Sequence, residues 1–264
     1  MNKHILIRGG GDLASGVALR LHHAGFSIVI TELPRPLAVR RLVSFSEAVY
    51  EGQITVEDVT AHLVKPDQVE STLSRSEIPV LVDPEVSQLP ITNYQVVIDA
   101  RLIKSPPRPL PTPVPLHIGL GPGFSAPRDC HAVIETRRGH TLGRVIWQGE
   151  SAPDSGQPDG DPRRVLRADQ DGILISHANI GDHLETGQLI AEIRSSTENH
   201  TSKIISSFKG ALRGLLRDGM EVTRGLKLGD VDPRDDPALC RLVSDKALAI
   251  GGGVLEAILA NPQR

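Results

Sequence analysis

Apolar residues along the chain fall into two regimes. Short unbroken runs, Ile5-Leu6-Ile7, Ile28-Val29-Ile30, Val80-Leu81-Val82 and Val96-Val97-Ile98, read as strands buried on both faces, as in a parallel sheet. Between the first two, Leu13, Val17 and Leu21 recur every four residues beside Ala14, Gly16 and Ala18. That spacing predicts a helix lying close on a sheet and ending at Gly25. Beyond Pro36 the pattern turns helical: Thr55 and Asp58 form a capping-box pair for a helix through Leu63, and Pro66 opens another toward Leu73. Near the C-terminus Ser244 caps a predicted helix over 245–250, and Gly251-Gly252-Gly253 leads into an apolar stretch from Val254 to Ala260. Those glycines either approach a ligand or redirect the chain, and the tail is expected to fold back on the N-terminal sheet.

The first strand runs directly into Gly9-Gly10-Gly11-Asp12-Leu13-Ala14, the G-x-G-x-x-A form of the dinucleotide fingerprint. Gly9 permits the tight turn, Gly11 close approach to a pyrophosphate, and Ala14 close helix packing, with Gly10 loosening the turn. Glu32 ends the second strand 21 residues after Gly11, where a ribose-binding acid belongs. Asp12 argues the other way. It stands at the helix start, where it would cap the backbone N–H groups a phosphate needs. Asp83 and Asp99 close the next two strands, so Gly9 to Gly11, Glu32, Asp83 and Asp99 are expected to converge on one sheet edge. Arg35, Arg101 and Lys104 follow strand ends and offer positive charge there, while Asp12 with Asp83 or Asp99 suits Mg²⁺.

Six prolines between Pro106 and Pro115 predict a semi-rigid connector. Beyond it, Gly119, Gly121 and Gly123 alternate in a second glycine loop, readable as an anion nest or as a turn that needs positive φ. Cys130 beside His131 reads as a thiolate poised by imidazole or a soft ligand, although neighbours on a strand face opposite ways. After a second linker, 151–164, Gly172, Gly181 and Gly187 recur as Gly210, Gly219 and Gly225, each 38 positions later. Two such β halves resemble the barrel-sandwich hybrid of biotinyl and lipoyl domains. The joining segment holds Lys203 without a Met-Lys-Met context, so no covalent biotin or lipoyl group is expected. The expected fold is therefore α/β: an N-terminal Rossmann-like parallel sheet, a β-rich barrel-sandwich-hybrid-like module and a short C-terminal helical segment. Its boundaries are 1–104 for the nucleotide-binding domain, 105–115 for the proline-rich linker and 116–164 for the glycine-loop segment and linker. The repeated module covers 165–232 and the helical segment 233–264.

Composition narrows the class. A net charge of −3 with one Trp, two Tyr and four Phe offers no basic footprint or stacking platform for nucleic acid. Two cysteines make no disulfide framework, no leader is expected ahead of a chain that opens on a core strand, and no apolar run suits a bilayer. A cytoplasmic protein without a membrane partner is expected. Edge strands of the β module are natural pairing sites for a partner, and a homo-oligomer is left open.

Five motifs in order give a more specific reading. Arg8-Gly9-Gly10-Gly11-Asp12-Leu13-Ala14, Ser44-Phe45-Ser46-Glu47-Ala48-Val49-Tyr50-Glu51-Gly52, Gly119-Leu120-Gly121-Pro122-Gly123-Phe124, Gly229-Asp230-Val231-Asp232-Pro233-Arg234 and Gly251-Gly252-Gly253-Val254-Leu255-Glu256 resemble the YqeB-type selenium-dependent molybdenum hydroxylase system proteins. The resemblance implies an accessory role in maturing molybdenum hydroxylases, loosely akin to the xanthine dehydrogenase accessory factors. The partner would be a hydroxylase client or a cofactor-biosynthesis protein. The ligand would be NAD(P), another nucleotide or molybdenum cofactor, held at Gly9, Gly10, Gly11, Asp12, Glu32, Asp83, Asp99, Arg101, Gly119, Gly121 and Gly123. Two alternatives stand beside it: an NAD(P)-dependent oxidoreductase, for which no Tyr-x-x-x-Lys pair is present, and a non-catalytic scaffold with an empty nucleotide fold. Catalysis itself is left open.

Overall fold

The computed structural model describes residues 4–103, 105–156, 160–195 and 200–261. The chain divides into two compact units. The first comprises Met1–Pro36, Ser44–Gly156 and Val243–Arg264, and the second Leu37–Val43 and Gln157–Leu242. This partition differs from the sequence boundaries, because the glycine-loop segment and the C-terminal helix both belong with the N-terminal sheet.

The first unit is built from β1 (His4–Arg8), α1 (Asp12–His23), β2 (Ser27–Glu32), α2 (Ala48–Glu51), β3 (Gln53–Val56), β4 (Val59–Leu63), α3 (Val69–Leu73) and β5 (Ile78–Val82). It continues through β6 (Val96–Asp99), β7 (Leu116–Leu120), β8 (Ser125–Ala126), β9 (Ala132–Ile134), β10 (Val145–Ile146), β11 (Gly149–Glu150) and a closing helix, Asp245–Leu259. Nine strands form one sheet in the order β10-β9-β7-β6-β1-β2-β5-β4-β3. Every pair from β9 to β4 is parallel, while β3 and β10 run antiparallel at the two ends.

The helix expected through Leu63 is a hairpin. Ile54, Val56 and Val59 are β-branched, and only Glu57, at φ 55°, and Asp58 separate the strands. A link that short can join only antiparallel neighbours, and it puts Thr55 opposite Thr60 with their hydroxyls 2.9 Å apart.

The closing helix also departs from expectation. It runs unbroken for 15 residues through Gly251 to Gly253, from a Ser244 cap whose hydroxyl accepts from Ala247 N. The glycines do not break the helix, and Gly251, with Gly16 of α1, lets two helices touch. A Cβ on Gly16 would stand 2.5 Å from Ala247 Cβ, and one on Gly251 would stand 2.9 Å from both Arg20 Cβ and Gly16 O.

The second unit contains β12 (Val165–Arg167), β13 (Gly172–Ser176), β14 (His183–Leu184), β15 (Leu189–Arg194), β16 (Thr201–Ile205), β17 (Gly210–Leu215), β18 (Glu221–Val222) and β19 (Lys227–Asp232). Strands β13, β14 and β15 reappear 38 positions later as β17, β18 and β19, and each short strand pairs with the long strand of the other half. The core follows the same offset: Leu174, Leu184, Ile190 and Ile193 match Leu212, Val222, Leu228 and Val231 in one apolar cluster.

The fold class read from the sequence is therefore corrected. The main sheet is mixed, not parallel, because a two-residue link between β3 and β4 at one end and residues 135–144 between β9 and β10 at the other reverse the chain. The β-rich part forms two four-stranded antiparallel sheets, β12-β19-β17-β14 and β16-β15-β13-β18, and not the expected barrel-sandwich-hybrid-like module. The C-terminal helix, as α4 (Asp245–Leu259), is part of the first unit. What holds is the α/β class. No helix among the described residues is long and apolar enough to cross a membrane.

Candidate functional site

Register places the carboxyl ends of the central strands side by side: Arg8 pairs with Thr31 and Asp99, Asp99 with Gly119, and Glu32 with Val82. Gly9 to Gly11, Glu32, Asp83, Asp99, Arg101 and Gly119 thus gather on one edge. The chain passes from β5 to β6 across β1, so the switch in strand order falls between β1 and β6. Ligands of open α/β sheets sit at such a point.

The first glycine loop is already engaged by its own chain. Gly10 N donates to Glu32 Oε2 at 2.6 Å and Leu33 N to Glu32 Oε1 at 2.7 Å. Burial pushes the Glu32 carboxyl above the usual range, and these two backbone donors pull it back. Over the other side of the loop lies Ser44 to Glu47. Ser46 N donates to Gly10 O at 2.8 Å, and Ser15 Oγ accepts from Phe45 N at 2.8 Å while donating to Gly11 O at 3.0 Å. A Cβ on Gly10 would lie 2.9 Å from Ser46 N, whereas one on Gly11 would meet nothing within 4 Å. Gly11 is the N-cap of α1 and Asp12 its first residue, so the cap is a residue earlier than the sequence suggested.

The other acids at this edge close loops. Asp83 Oδ1 accepts from Ser87 N at 2.9 Å and Oδ2 from Gln88 N at 2.8 Å. Asp99 receives Arg101 in a two-bond fork, at 2.9 and 2.6 Å, with Arg8 Nη1 at 3.4 Å from Oδ2. Among the described residues no group of three or more His, Cys, Asp or Glu is placed to hold a metal ion. Arg35 is exposed, and Lys104 lies outside the described residues.

In the second loop, packing accounts for two glycines. A Cβ on Gly119 would fall 2.4 Å from the Phe124 ring, and one on Gly121, at φ 72°, 2.5 Å from Thr136 Oγ1. Gly123 has φ 104°. Cys130 is no poised thiolate: burial pushes its thiol up to about 12, and Sγ donates to Ala132 O at 3.2 Å. His131 Nδ1 instead accepts from His117 N at 2.8 Å. A cleft of about 150 Å³ lined by His22, Phe26, Ser27, Leu73, Ser76 and Glu77 lies at the opposite, amino end of the sheet.

No family model matches the chain. It is 45% identical over 260 residues, 97% of its length, to an Escherichia coli K12 protein named as uncharacterized YqeB. The chain resembles YqeB. It spans about half the length of that curated relative, 47% of it. Among solved structures it is similar to an aspartoacylase family protein of Mesorhizobium loti, 13% identical with TM-score 0.31 over 88% of this chain and 85% of that one. A succinylglutamate desuccinylase of Silicibacter is 13% identical with TM-score 0.27, covering 87% and 84%. The ectoine utilization protein EutE of Ruegeria pomeroyi is 17% identical with TM-score 0.25, covering 33% and 27%. These stand where the repeat led us to expect biotinyl and lipoyl domains, and overlaps so loose carry no argument about chemistry.

The YqeB likeness supports the kinship read from the motifs. Three residues of the edge carry a further signal that sequence reasoning missed: Arg8, Thr31 and His117, which are 5%, 1% and 6% exposed. The signal was present as polar residues inside apolar strand runs, Arg8 after Ile7, Thr31 after Ile30 and His117 between Leu116 and Ile118.

Proposed function

We propose that the chain is a YqeB-type accessory protein of molybdenum hydroxylase maturation that binds a phosphate-bearing ligand, a nucleotide or molybdenum cofactor, at the carboxyl edge of its main sheet. The accessory role rests on the resemblance of the five ordered motifs, while the YqeB likeness supports the kinship alone. The ligand reading rests on one observation: Gly11 caps a 12-residue helix beside the strand-order switch, with open space where its side chain would be. At that place the first-turn backbone and helix dipole favour an oxyanion, and Asp12 beside it favours one accompanied by a cation. The hydroxylase client docks on the repeated β unit, whose two sheets end in β12, β14, β16 and β18, strands of the kind that pair with a partner.

A scaffold reading has its own support. Glu32 spends both oxygens on Gly10 and Leu33, and Ser46 lies on Gly10, so the fingerprint is partly filled from within. The oxidoreductase reading gains nothing from this geometry, since an acid so engaged is turned away from a ribose.

A thermal-shift screen of NAD, NADP, ATP, CTP and molybdopterin species, with and without Mg²⁺, tests the proposal. A ligand at about a hundred times its Kd should add roughly 2.7 kcal/mol. Stabilisation lost in Gly11→Ala supports the ligand reading; no shift with any compound leaves the scaffold.

A further inference from the structure

The three polar residues missed in the sequence share a feature. Arg8 Nε, Thr31 Oγ1 and His117 Nε2 are buried and have no hydrogen-bond partner among the described residues. Buried polar atoms are nearly always satisfied, so each orphan points to a group that completes it.

Their placement is not scattered. Parallel register and the two-residue pleat put Thr31, Arg8, Asp99 and Gly119 on one sheet face across four adjacent strands, with His117 two residues before Gly119 on that face. The row crosses the boundary between β1 and β6, where the strand order reverses.

Charge in the row is unevenly spent. Two guanidinium groups share Asp99, whose fork is taken by Arg101, and Arg8 is left with a 3.4 Å contact and one bond to Pro84 O at 3.1 Å. Of the other acids nearby, Asp83 turns its oxygens to Ser87 and Gln88, and Glu85 is exposed, where water screens it. Arg101 is 27% exposed at the mouth of the row, so one end opens to solvent.

We propose that this row is the oxyanion seat of the sheet edge: Arg8 and Arg101 take a phosphoryl group between β1 and β6, Thr31 adds its hydroxyl, and His117 flanks it. Asp99 is a positioning residue that holds the two guanidinium groups. The inference rests on the phosphate-ligand reading above and moves the grip from the glycine loop to side chains. A planar fork suits a phosphoryl group better than backbone already bonded to Glu32 and Ser46.

Calorimetric titration of the full chain with inorganic pyrophosphate, and with sulfate as a general-anion control, tests it. Thr31→Val is the sharpest variant, since a hydroxyl without a partner can become a methyl with no loss of thermal stability. Saturable pyrophosphate binding that weakens at least roughly tenfold in Thr31→Val and in Arg101→Gln, with sulfate bound no better than background, supports the seat. Should Arg101→Gln fail to fold, Thr31→Val carries the test alone. Binding unchanged in Thr31→Val but lost in Gly11→Ala overturns the seat and leaves the glycine-loop reading. No binding of pyrophosphate or of the screened nucleotides overturns both.

Discussion

At the scale of single residues, the candidate edge is governed by where each polar group spends its hydrogen bonds. Glu32 stands at the position a ribose would meet, yet its carboxylate ties Gly10 to Leu33. Replacing it with Gln puts an amide hydrogen against one of two backbone donors, so Glu32→Gln is expected to cost about 1 to 3 kcal/mol in urea unfolding. A cost near zero would mean that Glu32 is free for a ligand. Cysteine chemistry follows the same logic. Only a thiolate attacks, and burial holds Cys130 at about 12 and pushes Cys240 up as well. At pH 8 iodoacetamide should modify neither cysteine in the folded chain and both in denaturant. Rapid labelling of native Cys130 would restore the reactive thiol that its neighbour His131 suggested.

At the scale of elements, glycine has two opposite meanings within four residues of one helix. A Cβ on Gly253 would run into Gly143 O and press on Ile134 at 3.1 Å, whereas one on Gly252 would meet nothing within 4 Å. Gly252→Ala should therefore raise stability by about 0.5 to 1 kcal/mol through helix propensity, and Gly253→Ala should lower it by about 1 to 3 kcal/mol through overpacking. Thermal unfolding of the pair checks this, and equal effects would refute the packing account. The same helix shows the limit of local reading. Gly251-Gly252-Gly253 reads as a break because propensity is local, while the partner surface at Gly16 and Gly143 is distant in sequence. The hairpin at 53–63 failed for a related reason, since Thr55 and Asp58 mimic a helix cap and the deciding Thr55 to Thr60 pairing is tertiary. The central strands were legible because buried parallel strands need unbroken apolar runs, and the 38-residue repeat because its glycines recur where backbones meet. A Cβ on Gly172 would press on Arg194 O at 2.2 Å, and one on Gly210 on Asp232 O at 2.4 Å. Of the candidate site, the converging edge was legible; the orphaned row was not, because a missing partner is a property of packing.

At the scale of the whole molecule, these buried groups set how stability responds to acid. Burial lowers His117 from 6.5 to about 4, outweighing the attraction of Asp99, so the folded chain keeps the ring neutral where the unfolded chain protonates it. Between those values the unfolded state binds more protons, and stability must fall as pH falls, by up to about 3 kcal/mol. A second loss comes lower. The Arg234 fork, aided by Arg213, holds Asp232 at about 2 against an ordinary 3.8, so its contribution disappears as pH drops through that interval. It is smaller, because Arg234 is 62% exposed and screened. Glu32 acts in the opposite sense, since a raised carboxyl favours the folded state on acidification, and comparison with variants removes it. Urea unfolding at pH 7.5, 5.5 and 4.5 should show a declining free energy in the parent chain and a flatter profile in His117→Asn. Arg234→Gln should keep the parent profile above pH 4 and diverge only below it. Should His117→Asn decline as steeply as the parent, His117 would titrate like an exposed histidine, and the buried row at the strand-order switch would have to be open to water.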